Sequence, residues 1–366
     1  MDLQTYRPLG ASGLLVSPLS LGTMTFGTPR WGLNEAGSRA VLDRYLELGG
    51  NVLDTADVYA GGRSEEIVGA WIADRQVRDR TVIATKSGFA TGKGLLAGGN
   101  GARHVHAAVE GSLKRLRTDF IDLYWIHVWD GITPAEELLQ TMAGLIASGK
   151  IRYWGISNTP GWYAARLATL ASVRGMPAPI GLQYFYSLAD RSVEDEHVPL
   201  GLACGMGLVP WSPLAYGLLT GKYDRATVEA SGARQGGVPN AGGADEQRPE
   251  GDKRLDGDNP FGDMLFTERN WRIVDELKRV ATEAGQSPAN VALAWVIRRP
   301  AVATTLMGVS RPEQVTDNVG ALKLTLSAEH LAALDAVSGG DPRLLYGLSR
   351  PPGRNHVVFG GADVRA

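Results

Sequence analysis

Short apolar runs alternate along most of the chain with longer stretches whose apolar positions recur every three to four residues. The short runs are Leu19–Leu21, Asn51–Leu53, Thr81–Thr85, Ile121–Ile126, Ile151–Gly155, Ile180–Leu182, Gly207–Pro210 and Ala303–Leu306, and they read as eight buried strands. Between them, Val41, Tyr45 and Leu48 share one helical face, as do Val105, Val109, Leu113 and Leu116. Ahead of the first run, Tyr6–Leu9 and Leu14–Val16 flank a Gly10–Gly13 turn and predict a hairpin. Helix starts are marked as well. Thr133-Pro134-Ala135-Glu136 predicts a capping threonine, a proline at the first helical position and a glutamate completing a capping box; Ser287-Pro288 and Ser327 with Glu329 read the same way.

Strand and helix in strict alternation predict a parallel α/β sheet, and eight repeats are what a closed (β/α)8 TIM barrel needs. An open doubly wound sheet usually carries a G-x-G-x-x-G turn after its first strand, and none is present. Two glycine-rich stretches break the rhythm, residues 87–101 after the third strand and residues 230–263 after the seventh. Both fall on the strand-to-helix side, where barrel sites are built, so each reads as a lid or as a tolerated surface loop. The expected organisation is one barrel over residues 1–337 with a tail at 338–366, which either folds over the pocket or hangs free.

The chain has 366 residues, of which 44% are hydrophobic and 21% charged, so one large barrel core is within reach. The net charge of −2 supplies no field that would draw in nucleic acid or an anionic membrane. Cys204 is the lone cysteine, which excludes an internal disulfide and favours a reducing cytoplasm. No targeting segment and no membrane-length apolar run is expected. His104 and His106 alternate on a predicted helix and do not face one point, so no metal site is expected.

Candidate chemistry gathers at strand ends. Asp54 closes the second strand, Lys86 the third and His127 the fourth, with Tyr59 in the loop just beyond Asp54. All four belong to one rim of the predicted barrel. A phenol titrates near 10, and a neighbouring ammonium stabilises its anion and brings it toward neutrality. Lys86 supplies that ammonium, Asp54 holds it charged, His127 orients a substrate oxygen, and Tyr59 is the general acid of a carbonyl reduction. A lyase using Lys86 as a Schiff-base nucleophile is the competing chemistry, and Asp54 opposes it by raising the lysine pKa.

The segments "DTADVY", "ATKS", "WIHVWD", "GISN", "LQYFYS", "PWSPLAYGLLTGKY" and "LMGVSRPEQVTDN", in this order, resemble the aldo-keto reductase family from about Tyr6 to Val337. The resemblance implies a barrel closed at the bottom by the hairpin and a small carbonyl substrate reduced with a nicotinamide cofactor. It implies Asp54, Tyr59, Lys86 and His127 as the catalytic tetrad. It also implies a cofactor cradle: Gly22, Thr23, Met24 and Asp54 near the nicotinamide; Ser157, Asn158 and Gln183 on its carboxamide; and Trp211 stacked on its ring. Ser212, Pro213, Leu214 and Gly217 would face the pyrophosphate, and Gly308, Ser310, Arg311, Gln314 and Asn318 the adenosine half, with a helix beginning at Pro312.

Three departures from the family pattern stand out: Met307 replaces a frequent proline, Ser310 a basic residue, and Gln314 an arginine found in some members. Arg311 favours NADP(H) over NAD(H) as the cofactor. Ala60 stands where glycine is frequent, with no effect expected on the chemistry. Met24, Phe26, Trp31, Phe89 and Trp129 are expected around the substrate mouth. Some relatives of the family serve ion channels, so an NADP-binding regulatory or sensing subunit with little turnover is the alternative function.

Overall fold

The computed structural model describes residues 1–28, 32–230, 255, 262–340 and 344–364. Two short strands, β1 (Arg7–Pro8) and β2 (Leu15–Val16), form the expected antiparallel hairpin. Eight parallel strands follow: β3 (Leu19–Gly22), β4 (Val52–Asp54), β5 (Val82–Ser87), β6 (Ile121–Ile126), β7 (Ile151–Ser157), β8 (Gly181–Phe185), β9 (Gly207–Trp211) and β10 (Thr305–Gly308). Helices α1 (Glu35–Glu47), α2 (Arg63–Arg75), α3 (Ala102–Leu116), α4 (Ala135–Ala147), α5 (Gly161–Arg174) and α6 (His197–Cys204) each separate two of these strands. Between β9 and β10 lie α7 (Arg225–Ala230), α8 (Gly262–Leu265), α9 (Glu268–Glu283) and α10 (Pro288–Ile297). After β10 come α11 (Pro312–Val319), α12 (Ala328–Ser338), α13 (Leu344–Ser349) and α14 (Gly353–Val357).

Hydrogen bonding runs β10-β3-β4-β5-β6-β7-β8-β9, and the circle is completed by Leu208 of β9, which bridges to the segment ahead of β10. The Leu208 amide donates to the Ala301 carbonyl at 2.7 Å and the Ala303 amide donates to Leu208 at 2.9 Å. Ala303, expected as the start of the eighth strand, is therefore used with residues 301 and 302 for closure, and the ladder to β3 begins only at Thr305. The molecule is a (β/α)8 barrel.

Strand parity divides the core in two. Val52, Ala84, Leu123, Trp125, Val209 and Leu306 fill the barrel, together with Leu9, Leu14 and Val16 from the hairpin. Leu53, Ile83, Tyr124, Trp154, Ile156 and Leu182 point outward into the layer shared with the helices. Trp125 is the large plug of the interior, and it fits because its neighbours lack side chains. A Cβ on Gly155 would lie 2.3 Å from the Trp125 ring, and one on Gly181 2.7 Å. The hairpin closes the opposite end from the site: the Ala11 amide donates to Gly205 at 2.7 Å, and Gly10, at φ +58, leaves no room for a Cβ beside the Gly205 and Ile180 carbonyls.

Helix caps follow the sequence in two cases of three. Ser287 and Ser327 each accept from the amide three residues on. Thr133 does not cap α4: its hydroxyl donates to Asp130 at 2.6 Å, and Pro134, in an extended conformation, occupies the cap position itself. Of the long loop expected at 230–263, only Leu255 and the ends lie within the described residues; Leu255 is buried and its amide donates to the Tyr223 hydroxyl. The tail packs on the segment after β8, where Tyr346 donates to Glu196 at 2.5 Å and Arg350 to the Glu194 and Asp195 carbonyls at 2.8 Å.

Candidate active site

The parity that fills the barrel also aims its upper residues. In β5, Val82 and Ala84 face inward, so Lys86 does too; in β4 the same alternation takes Val52 to Asp54. Extending β6 from Leu123 and Trp125 by one more step brings in His127, whose amide donates to the Ser87 carbonyl at 2.8 Å. Ser157 and Trp211, which end their strands, and Gln183, in the middle of β8, share the inward parity of Gly155, Val209 and Gly181.

Lys86 is completely buried, and its ammonium has three partners. It donates to the Asp54 carboxylate, to the Thr55 carbonyl at 2.8 Å and to the Tyr59 hydroxyl at 3.2 Å. Burial pulls the lysine pKa down, but the Asp54 carboxylate and the Tyr59 hydroxyl outweigh it, and the pKa stands above the ordinary lysine value. The second Asp54 oxygen accepts from Gln183 Nε2 at 2.9 Å, so a carboxylate 2% exposed has strong donors on both oxygens.

The Tyr59 ring stands edge-on to His127 with centroids 5.8 Å apart, and Phe89 packs against the other side of that imidazole at 4.5 Å. Burial and, next, the Lys86 charge push the His127 pKa well below its usual value, so the ring is neutral. Its Nδ1 is buried without a hydrogen-bond partner. Behind the tetrad, Thr23 donates to the Asp54 carbonyl through both its amide (2.9 Å) and its hydroxyl (3.1 Å). Ala60, directly after Tyr59, adopts φ +49, a region that favours glycine.

The ladder aligns Gly308, Gly22 and Asp54 side by side across β10, β3 and β4, with Met24 half-buried just above. Asn158, left-handed at φ +46, donates to the His127 carbonyl at 2.9 Å and to Ser157 Oγ at 3.0 Å. The half-exposed Trp211 meets Phe185 edge-on at 5.0 Å, and its Nε1 is buried and unpartnered. In the loop beyond, Ser212 (φ +50), Ala215 (φ +47), Tyr216 (φ +55) and Gly217 (φ +93) turn the backbone sharply, beside the buried Pro213 and half-buried Leu214. The Ala215 and Gly217 amides are taken by turn bonds to Ser212 and Leu214. At the start of α11, Gln314 Oε1 accepts from the Ser310 amide at 2.8 Å and its hydroxyl at 3.2 Å; Arg311 is exposed and Asn318 buried.

The expected aromatic wall is gathered only in part. Phe89 and Trp129 stand at the rim, 41% exposed and half-buried respectively. Phe26 does not: it is fully buried in the outer core, with its backbone bridged to Leu33. Trp31 lies outside the described residues. Sequence reasoning missed Trp162, whose ring meets Trp129 edge-on at 5.5 Å and is 59% exposed, and Phe185 and Tyr216, which stack at 6.2 Å beside Trp211. A tryptophan at the first turn of a helix was the available signal for Trp162.

Comparison with known proteins agrees with this geometry. The profile of the Aldo/keto reductase family matches residues 18–338. Norsolorinic acid reductase A of Aspergillus parasiticus is 31% identical over 89% of this chain and 78% of its own length. A probable voltage-gated potassium channel subunit beta of Oryza sativa subsp. japonica is 34% identical over 92% of this chain and 98% of its own. The aryl-alcohol dehydrogenase [NADP(+)] of Phanerodontia chrysosporium is 30% identical over 92% and 86%. With a family match across most of its length and relatives above 30% identity that span it almost end to end, the chain belongs to the aldo/keto reductase family.

Proposed function

We propose that this protein reduces a small carbonyl compound to an alcohol with NADPH, Tyr59 acting as general acid. The observation that carries the proposal is the buried Lys86 ammonium, held between the Asp54 carboxylate and the Tyr59 hydroxyl. That contact stabilises a phenolate, which is what a phenol must become to give up its proton near neutral pH. It also weighs against a Schiff-base lyase, since Lys86 is held charged and an ammonium is no nucleophile.

The residues present fit a nicotinamide nucleotide. Trp211 offers a half-exposed aromatic face, Ser157, Asn158 and Gln183 offer amide-complementary groups beside it, and the α11 N-terminus with Arg311 suits an anionic ribose phosphate. Bound NADPH supplies the hydride that the carbonyl carbon accepts. His127, neutral and donating, holds the substrate oxygen. Tyr59 gives that oxygen its proton as the C=O π pair moves onto it, and the phenolate left behind is stabilised by Lys86 until solvent reprotonates it. The rim aromatics Phe89, Trp129 and Trp162 favour a substrate with a flat apolar face, and the names of the norsolorinic acid and aryl-alcohol relatives fit that class. An exposed free thiol, Cys204, accords with a reducing cytoplasm.

The similarity to a probable channel beta subunit favours one second reading, an NADP-binding regulatory subunit. Nicotinamide absorbance with a panel of aryl aldehydes, ketones and sugars separates the two. Turnover that falls at least about 100-fold in Tyr59→Phe while NADPH binding persists supports the reductase. Tight NADPH binding with no turnover of any panel member supports the regulatory subunit, and near-normal turnover in Tyr59→Phe removes Tyr59 from the role proposed.

A further inference from the structure

The rim aromatics come from three different loops, and one carboxylate ties those loops together. Asp130, half-buried in the loop after β6, accepts on both of its oxygens. Its Oδ1 takes the Ile132 amide at 3.0 Å and the Thr133 amide at 2.9 Å, and its Oδ2 takes the Thr133 hydroxyl at 2.6 Å and the Asn100 amide at 2.9 Å. Burial works against this charge, but the donors from Thr133, Ile132 and Asn100 outweigh it and hold the carboxyl below the ordinary aspartate value.

These bonds lead to the rings. Trp129 is the residue before Asp130, and its amide donates to the Asn158 carbonyl at 3.3 Å. Asn100 brings in the loop after β5: its Nδ2 donates to the Val128 carbonyl at 2.8 Å, and the neighbouring Gly99 amide donates to the Gly88 carbonyl at 2.9 Å, just ahead of Phe89 on the His127 ring. Thr133 brings in α5: its carbonyl accepts from the Tyr163 hydroxyl at 2.9 Å, and Trp162, next in the chain, meets both Tyr163 and Trp129 edge-on at 5.5 Å. We propose that Asp130 is a positioning residue that sets Phe89, Trp129 and Trp162 as one wall beside His127, and so gives the site its preference for aryl over small aliphatic carbonyls. The proposal rests on the reductase reading of the site and adds how its substrate is selected.

A carboxylate suits this junction because both oxygens accept and neither carries a hydrogen. In Asp130→Asn one oxygen becomes an NH2 group, which meets a donor whichever way it turns: the Asn100 amide on one side, the Ile132 and Thr133 amides on the other. Asn100 has little room to compensate. It is 1% exposed, and a Cβ on Gly88, at φ +137, would lie 3.1 Å from its Oδ1. That Oδ1 is buried without a partner, so the fold accepts an unpaired acceptor in the residue whose two donors join the loops. The hydrogen-bond partners of Asp130 are Asn100, Ile132 and Thr133, none of them in the tetrad, so its replacement leaves proton and hydride transfer in place. What changes is the wall. A flat aryl group gains from edge-on and stacked contacts with such rings, whereas a three-carbon aldehyde has no aromatic face to offer them.

Steady-state reduction of 2-naphthaldehyde and of propanal by the full chain with NADPH tests the assignment. Asp130→Asn should raise the KM for 2-naphthaldehyde about 10-fold with kcat within about 2-fold, and leave kcat/KM for propanal and the affinity for NADPH within about 2-fold. A general structural loss would lower both aldehydes together. Thr133→Ala deletes the hydroxyl bond to Asp130 alone and should shift the ratio of the two aldehydes about 3-fold in the same direction, which keeps the test open if Asp130→Asn does not fold. 2-Naphthamide, an aryl carbonyl that is not reduced, should bind wild type in isothermal titration with NADP+ present, and bind these variants more weakly by the same factors of about 10 and about 3. A chain that turns over neither aldehyde fails as a reductase, and the amide titration still reads the wall. Equal losses for the two aldehydes, an unchanged KM for 2-naphthaldehyde, or amide binding that is absent or identical in wild type and variants would each overturn the proposal.

Discussion

Replacing Asp57 by asparagine keeps the shape of the side chain and removes its titration, and the structure fixes how much this should matter. The carboxyl titrates near 7 in the folded chain, against an ordinary value of 3.8. A folded-state pKa above the unfolded one means the native protein holds the extra proton. The associated stability is fully present below the unfolded value and is lost as pH rises through the folded one. Between about pH 5 and about pH 8 the native carboxyl gives up nearly a whole proton while the unfolded one is ionised throughout, so wild type should lose about 2–3 kcal/mol that the variant keeps. Glu65, Arg115 and His104 are present in both proteins, so subtracting the two pH profiles isolates Asp57. Urea denaturation at the two pH values, compared by linear extrapolation, gives the four stabilities required. The expected outcome is an Asp57→Asn protein that gains on wild type as the solution becomes more alkaline. A difference constant with pH to within about 0.5 kcal/mol would mean that Asp57 titrates ordinarily and is not an unpaired buried charge.

Three further outcomes follow from the site and the barrel. Lys86→Met leaves Asp54 buried with only Gln183, which should lower stability by about 3–5 kcal/mol at neutral pH, with part regained on acidification as Asp54 takes a proton; urea midpoints at two pH values measure both, and an unchanged midpoint would refute the pairing. Arg311→Ala should weaken NADPH by about 10-fold and NADH little, read by quenching of tryptophan fluorescence; equal losses would separate Arg311 from the 2′-phosphate. Gly155→Ala sets a Cβ 2.3 Å from the Trp125 ring and 2.8 Å from the Gly181 carbonyl, so it should destabilise by about 1–3 kcal/mol in urea unfolding, and a change under about 0.5 kcal/mol would mean Trp125 has room to move.

The eight strands were legible because each is short, apolar on both faces and bounded by turn residues, which is how a parallel strand buried between barrel interior and helices must read. What escaped was decided across the barrel. Ala303 looks like strand from composition, and only closure on Leu208 shows it serving the last gap while the ladder to β3 starts at Thr305. Thr133 has the right spacing for a cap, yet Pro134 takes the cap position with an extended backbone and the Thr133 hydroxyl donates to Asp130. Local pattern names the competing partners; tertiary geometry chooses between them.

The gathering of Asp54, Tyr59, Lys86 and His127 was legible for a reason that also explains why the burial of Asp57 was not. Asp54, Lys86 and His127 are polar residues on the inward parity of apolar strands, where each is a visible anomaly, and their chemistry is complementary. Asp57 sits three residues after Asp54, in a loop where a carboxylate is ordinary, and nothing in sequence marks it as buried. Its neighbours Glu65 and Arg115 are fifty residues apart and read as exposed helix charges, though Glu65 is fully buried and bound to both Thr85 and Arg115. The barrel wall therefore has charge on both faces of β5: Lys86 inward with Asp54, Thr85 outward with Glu65. One strand separates the buried Lys86–Asp54 pair from the Glu65–Arg115 pair on the outer face, and burial together with the Glu65 charge pushes the Asp57 carboxyl up although Arg115 and Lys86 oppose it.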